Sequence, residues 1–95
     1  MGKELERSEI LERLRRLVPG RISVEPDRLQ PEARLADIGI DSFSLIELVF
    51  LAEEAFGITI PNEGLEVKTV GDVIDVIQRR FAEAAAGLSA QGANN

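Results

Sequence analysis

The sequence predicts an all-α fold: a small bundle of three main helices with a short helical turn and a long first loop. Three observations carry this. Apolar residues recur at helical spacing in three separate stretches, start and stop residues bracket those stretches, and the segment GITIP is too short and isolated to build a sheet. At 95 residues there is length for one small domain, and four Phe with neither Trp nor Tyr point to an aliphatic core.

The first helix is expected from about Lys3 to Leu17. Leu11, Leu14, Leu17 and Val18, with Leu5 and Ile10 nearby, share its apolar face, and Glu9–Arg13 and Glu12–Arg16 are i,i+4 pairs of favourable orientation. Pro19-Gly20 ends it. A connection of roughly 20 residues follows, long enough that its apolar residues Ile22, Val24, Leu29, Leu35 and Ile38 are expected to be packed. Asp41 is a good N-cap for a second helix over Ser42–Phe56, which Gly57 closes. Leu45, Val49, Ala52 and Phe56, with Leu48, form its core stripe. A second stripe, Phe43, Ile46 and Phe50, is interleaved with Ser44, Glu47 and Glu53, and fits either more core or a docking face. GITIP reads as extended loop, with a single helical turn near Asn62–Glu66. Thr69 with Asp72 approximates a capping box for the last helix, whose stripe Val70, Val73, Ile74, Ile77 and Phe81 runs out near Ala85. The folded unit is therefore expected over residues 1–85, and 86–95 as a disordered tail.

Without Cys or His, the chain has no disulfide framework, no thiol nucleophile, no Cys- or His-based zinc site and no Ser-His triad. The opening residues are charged and no apolar run reaches a membrane span, so neither membrane insertion nor a secretory signal is expected, and a cytoplasmic address follows. A formal charge of −6 argues against nucleic acid as a partner. Its distribution says more. Every charged residue from Asp37 to Val67 is acidic, whereas Arg7, Arg13, Arg15, Arg16 and Arg21 crowd the first quarter. A one-sign surface of this kind steers basic partners toward it.

Within that acidic region lies LADIGIDSFSLIELVFLAEEAFGITIP, where Ser42 stands at the point at which a Gly-containing loop becomes a helix. Helix starts favour Ser, so an isolated Asp-Ser pair is most often a plain cap. The G-x-S-x-G pattern of hydrolases is missing. A calcium loop from Asp37 would put Ser42 where Gly is required and Leu48 where the bidentate Glu belongs.

The stretch as a whole resembles the acyl carrier protein family, whose hallmark is a D-S-[LIMF] triplet at the start of an acidic second helix. KTVGDVIDVI resembles the family's last helix, so the likeness runs from Leu5 to Phe81. It departs from the common pattern at Phe43, where Leu is usual, at Ser44, where an acidic residue is frequent, and at Asn62, where Asp is frequent.

The resemblance implies a carrier rather than an enzyme. It implies 4′-phosphopantetheine, taken from coenzyme A, on Ser42, with Asp41 in capping and in recognition by a phosphopantetheinyl transferase. Phe43, Ile46, Glu47, Phe50, Glu53 and Glu54 would meet basic, apolar pockets on acyltransferases, ketosynthases or acyl and aminoacyl ligases. An acyl-sequestering pocket would be lined by Leu48, Ala52, Ile60, Val73 and Ile77. A monomer is expected. The composition agrees, since thioester chemistry in a chain without Cys needs a thiol from a prosthetic group. Two other readings stand beside acyl carriage for fatty acid or polyketide-type synthesis: a freestanding carrier loaded by an adenylating ligase, and an unmodified helical adaptor.

Overall fold

The computed structural model describes residues 5–61 and 65–94, with side chains through residue 86. Three helices, α1 (Arg7–Leu17), α2 (Ser42–Phe56) and α3 (Val70–Asn94), form an all-α bundle in which α3 packs against both α1 and α2. Among the described residues, β-type pairing is limited to one antiparallel bridge, Arg34 with Thr69.

The helices form where capping and periodicity coincide. Asp41 is extended and its carboxylate accepts the Ser44 N–H at 2.8 Å, while Gly57 adopts the left-handed conformation that ends α2. At the head of α3 the expected capping box is reciprocal. The Asp72 N–H donates to Thr69 Oγ1 at 3.1 Å, and Asp72 Oδ2 accepts the Thr69 and Lys68 N–H groups at 3.1 and 2.9 Å. Four first-turn donors would otherwise lack partners at each helix start, and these side chains supply several of the missing acceptors.

Some boundaries differ from expectation. α1 begins at Arg7 rather than Lys3, because Leu5 is buried in the core and its carbonyl accepts the Gln78 side-chain amide at 3.0 Å; Glu6 then becomes the extended cap. Arg13 pairs with Glu9 as expected, but Glu12 pairs with Arg15 and not Arg16. Arg15 is held in place because its guanidinium also donates twice to the Leu29 carbonyl, at 2.9 and 3.2 Å. α3 continues to Asn94, past the expected end at Ala85, so the backbone over 86–94 is helical where a disordered tail was expected. The run Ala84–Ala86 favours helix past the end of the apolar stripe, whereas Gly87 and Gly92 beyond it are poor helix formers, so propensity does not explain the last turns. The helical turn expected near Asn62–Glu66 falls largely on 62–64, outside the described residues, and Leu65 and Glu66 are not helical.

The long first loop is structured. Two 3₁₀ turns, Pro26–Arg28 and Ala36–Ile38, punctuate it, and Ile22, Leu29, Leu35 and Ile40 are buried. Burying a Leu or Ile side chain contributes roughly 1.5–3 kcal/mol, so these four anchor the loop as firmly as one helix face would. They join Ile10, Leu14 and Val18 of the first helical segment, Leu48, Val49, Leu51, Ala52 and Phe56 of α2, and Val70, Val73, Ile74 and Ile77 of α3 in one core. Leu45, expected in the core stripe, is half-buried at its edge.

Backbone bonds latch this loop to the head of α3. The Leu35 N–H donates to the Lys68 carbonyl at 2.9 Å, the Val70 N–H to Ala33 at 2.9 Å, and the Gly71 N–H to Pro31 at 2.8 Å. Gly71 is needed for the last of these, since a Cβ there would lie 2.9 Å from the Pro31 carbonyl oxygen. In an open helix Gly→Ala gains up to about 1 kcal/mol, but here the opposing atom is backbone and the loop must move. Gly71→Ala should therefore lower unfolding free energy in urea by about 1–2 kcal/mol; a gain in stability would show that the latch yields freely.

Candidate functional site

Ser42 is delivered to the surface by a chain of local constraints. Leu35 and Ile40 are both buried, and between them Gly39 turns the chain at φ 86°, ψ 14°, a left-handed conformation that suits Gly because it has no Cβ. The Ile40 N–H returns to the Leu35 carbonyl at 2.9 Å, which closes the turn. Asp41 then leaves the core in extended form, and Ser42 opens α2 with its side chain exposed. Asp41 uses its carboxylate on the Ser44 N–H. The Ser42 N–H has no protein acceptor among the described residues, while the Phe43 N–H leans toward the Asp41 carboxylate, so the positive end of α2 faces solvent beside the Ser42 hydroxyl.

The Ser44 N–H, followed by the Ser44 hydroxyl, holds the Asp41 carboxyl below its ordinary value of 3.8. The Lys68 and Thr69 N–H groups do the same for Asp72. Both carboxylates are thus committed to backbone donors as anions.

The expected partner-facing residues separate by position. Phe43, Ile46 and Phe50 are 77, 57 and 54% exposed, so this stripe is surface and not core. Glu47 is half-buried within the stripe, and Glu54 borders a groove shared with Arg16 of α1 and Arg21 of the turn that follows it. Glu53 serves the fold, because its Oε2 accepts the Ile60 N–H at 2.7 Å and ties the GITIP loop to α2. Arg80 holds the same loop from the other side, its Nε donating to the Thr59 carbonyl at 2.8 Å.

Between α2 and α3 the apolar seam is nearly closed. A void of about 10 Å³, close to one water's room, is lined by Val49, Ala52, Ile60, Val67, Val73 and Val76. Ala52, Ile60 and Val73 line it as expected. Leu48 and Ile77 do not, being packed within the core.

A larger groove of about 360 Å³ opens beside Ser42, with Ile40, Leu45 and Val67 along it and Arg34 and Lys68 among its lining residues. Neither cation stands out in the sequence as a site residue. The available signal is that they bracket the acidic stretch on either side, Arg34 just before Asp37 and Lys68 just after Val67.

The family described as phosphopantetheine attachment site matches residues 12–77, most of the chain. The chain belongs to the acyl carrier protein family. A curated relative named acyl carrier protein, from Thermosynechococcus vestitus, is 42% identical over 80 residues, covering 82% of this chain and 99% of the relative. The family's prosthetic group is 4′-phosphopantetheine. The residues at Ser42 fit it: an exposed hydroxyl at a helix start, the unpaired Ser42 N–H at the positive end of α2, and an open groove alongside.

The Asp41 and Asp72 caps fix the sign of the acid response. Each carboxyl has a lower pKa folded than unfolded, so its contribution is fully present above about pH 3.8 and is lost as pH falls through the folded value. Replacing both by Asn, which keeps an acceptor oxygen but gains no proton, should lower the melting midpoint at pH 7 and flatten its fall between pH 4 and about pH 2. Melting curves across that range check this, and equal slopes for the two proteins would contradict it.

Proposed function

We propose that this chain carries acyl groups as thioesters on a 4′-phosphopantetheine arm attached to Ser42. The observation that carries the reading is the exposed Ser42 hydroxyl at the head of α2, inside the matched region of a chain that has no thiol of its own. When bound, the arm supplies that thiol. The chain's own residues do the positioning: Gly39 and Asp41 present the hydroxyl, and the positive end of α2 receives the negative charge placed on it. The protein is a carrier and not a catalyst, and it works by meeting a phosphopantetheinyl transferase and the enzymes that use its cargo.

The finer reading concerns where and with whom. Phe43, Ile46 and Phe50, next to Glu47 and Glu54, form the docking face for enzymes of fatty acid or polyketide-type synthesis. Three large apolar side chains together on the surface of a small protein support this, because their exposure serves no folding purpose. Acidic residues at their rim suit basic docking patches, with Asp41 as a recognition residue for the transferase. The carrying unit is residues 1–85, since the apolar stripe of α3 ends with Phe81 and Ala84. Among the described residues no helix is long and apolar enough to cross a membrane, and a cytoplasmic monomer is the working picture.

One experiment tests attachment and docking together. With coenzyme A and a broad-specificity phosphopantetheinyl transferase, the wild type should gain the mass of one phosphopantetheine and Ser42→Ala should gain none while melting close to the wild type. A variant carrying Glu47→Lys and Phe50→Ser should be modified about 10-fold more slowly at low salt. No mass gain in the wild type would overturn the carrier reading, and an unchanged rate in the double variant would overturn the docking face.

A further inference from the structure

We infer that the groove beside Ser42 is a non-covalent seat for the prosthetic arm, in which Arg34 and Lys68 hold the phosphodiester and Ile40, Leu45 and Val67 receive the dimethyl-bearing carbons next to it. The inference rests on attachment at Ser42 and adds where the arm lies afterward.

Charge is the first support. Arg34 and Lys68 come from opposite ends of a stretch in which every charge is acidic, and the latch brings them to one groove: Arg34 bridges Thr69, and the Leu35 N–H bonds the Lys68 carbonyl at 2.9 Å. Neither side chain forms an ion pair or a hydrogen bond among the described residues. Asp41, which lines the same groove, is engaged by the Ser44 N–H, and Asp72, whose carboxylate also feels the Lys68 charge, by the Lys68 and Thr69 N–H groups. Two cations without ion-pair partners therefore line the same groove as Ser42, whose Oγ would carry the phosphodiester. Without them, that phosphodiester would stand beside the Asp41 carboxylate with only the α2 dipole to offset the repulsion.

Shape is the second support. Open grooves of about 350 to 390 Å³ occur at several places on the surface, but this one, at about 360 Å³, is lined by Ser42 itself, whereas the α2–α3 seam leaves only about 10 Å³. The groove offers both chemistries of the arm, cations for the phosphodiester and apolar side chains for the branched carbons that follow it. Arg34 adds a planar fork suited to two phosphate oxygens at once. Tethering at Ser42 makes the contact intramolecular, so even weak individual contacts are populated. The consequence for the carrier is an arm held against its own surface until a partner's basic pocket competes for the phosphodiester.

The test compares the apo protein with the protein modified by transferase and coenzyme A, intact mass being read first. At low salt the modified wild type should melt about 4 °C above the apo form. In the variant Arg34→Gln with Lys68→Gln the mass gain should remain and the rise in midpoint should vanish, whereas Arg21→Gln should keep both. Proton cross-relaxation should link the arm's paired methyl groups to the Leu45 and Val67 methyls. Arg34 and Lys68 are exposed, and the apo midpoint of their variant reports separately on folding. Mass gain with the same midpoint rise in wild type and double variant, or without the methyl contacts, would overturn the inference alone. Absence of mass gain would overturn the attachment reading and this inference with it.

Discussion

Three backbone hydrogen bonds between the first loop and the head of α3, from Leu35 to Lys68, from Val70 to Ala33 and from Gly71 to Pro31, set the geometry on which the site depends. A loop of this length would ordinarily be mobile, and a mobile loop could not present one serine in one orientation. Each bond contributes about 1 kcal/mol net, comparable with the burial of about one methylene. Together with buried Leu29, Leu35 and Ile40 they fix where the chain turns at Gly39, hence where Asp41 caps and where Ser42 emerges. Arg15 supports the same loop from α1 by gripping the Leu29 carbonyl. Ser42 is local to α2, but its placement is a tertiary property.

The same latch organises charge. The ion pairs among the described residues, Arg7–Asp75, Arg13–Glu9, Arg15–Glu12 and Arg80–Glu83, all lie on α1 and α3. None reaches the described acidic residues between Asp37 and Val67, of which Asp41 and Glu53 bond backbone N–H groups instead. Arg13 instead lies over the Phe56 ring, 5.4 Å from its centre, covering the end of α2. Among the described residues the ion pairs thus gather on α1 and α3, while the acidic stretch between Asp37 and Val67 carries none.

How far the structure is legible in the sequence follows the range of each interaction. Asp41, Gly57 and the Thr69–Asp72 box act within a few residues of themselves, so their spacing carries both identity and position. The stripe Phe43, Ile46 and Phe50 is legible as a stripe but open between core and surface, because periodicity gives an angle around the helix and not what stands opposite it. The latch leaves no trace. It joins residues more than 30 apart through backbone atoms that every sequence shares, and the meeting of Arg34 and Lys68 is hidden with it. Glu53 reads as a rim charge because a carboxylate bonded to the Ile60 N–H has no sequence signature. The end of α3 is obscured for the opposite reason: its apolar stripe stops while the helix propensity of Ala continues.

Amide hydrogen exchange at Leu35, Val70 and Gly71 tests the central claim most directly, because each of these N–H groups is a latch donor. If the latch holds the site, all three exchange only on global unfolding, as slowly as the amides of Leu14 and Ile77 in the core, and slow down together when the protein is stabilised. Exchange of Leu35 and Gly71 at the rate of exposed loop amides, with the core amides still protected, would mean that the loop opens independently and that Ser42 is not positioned by it.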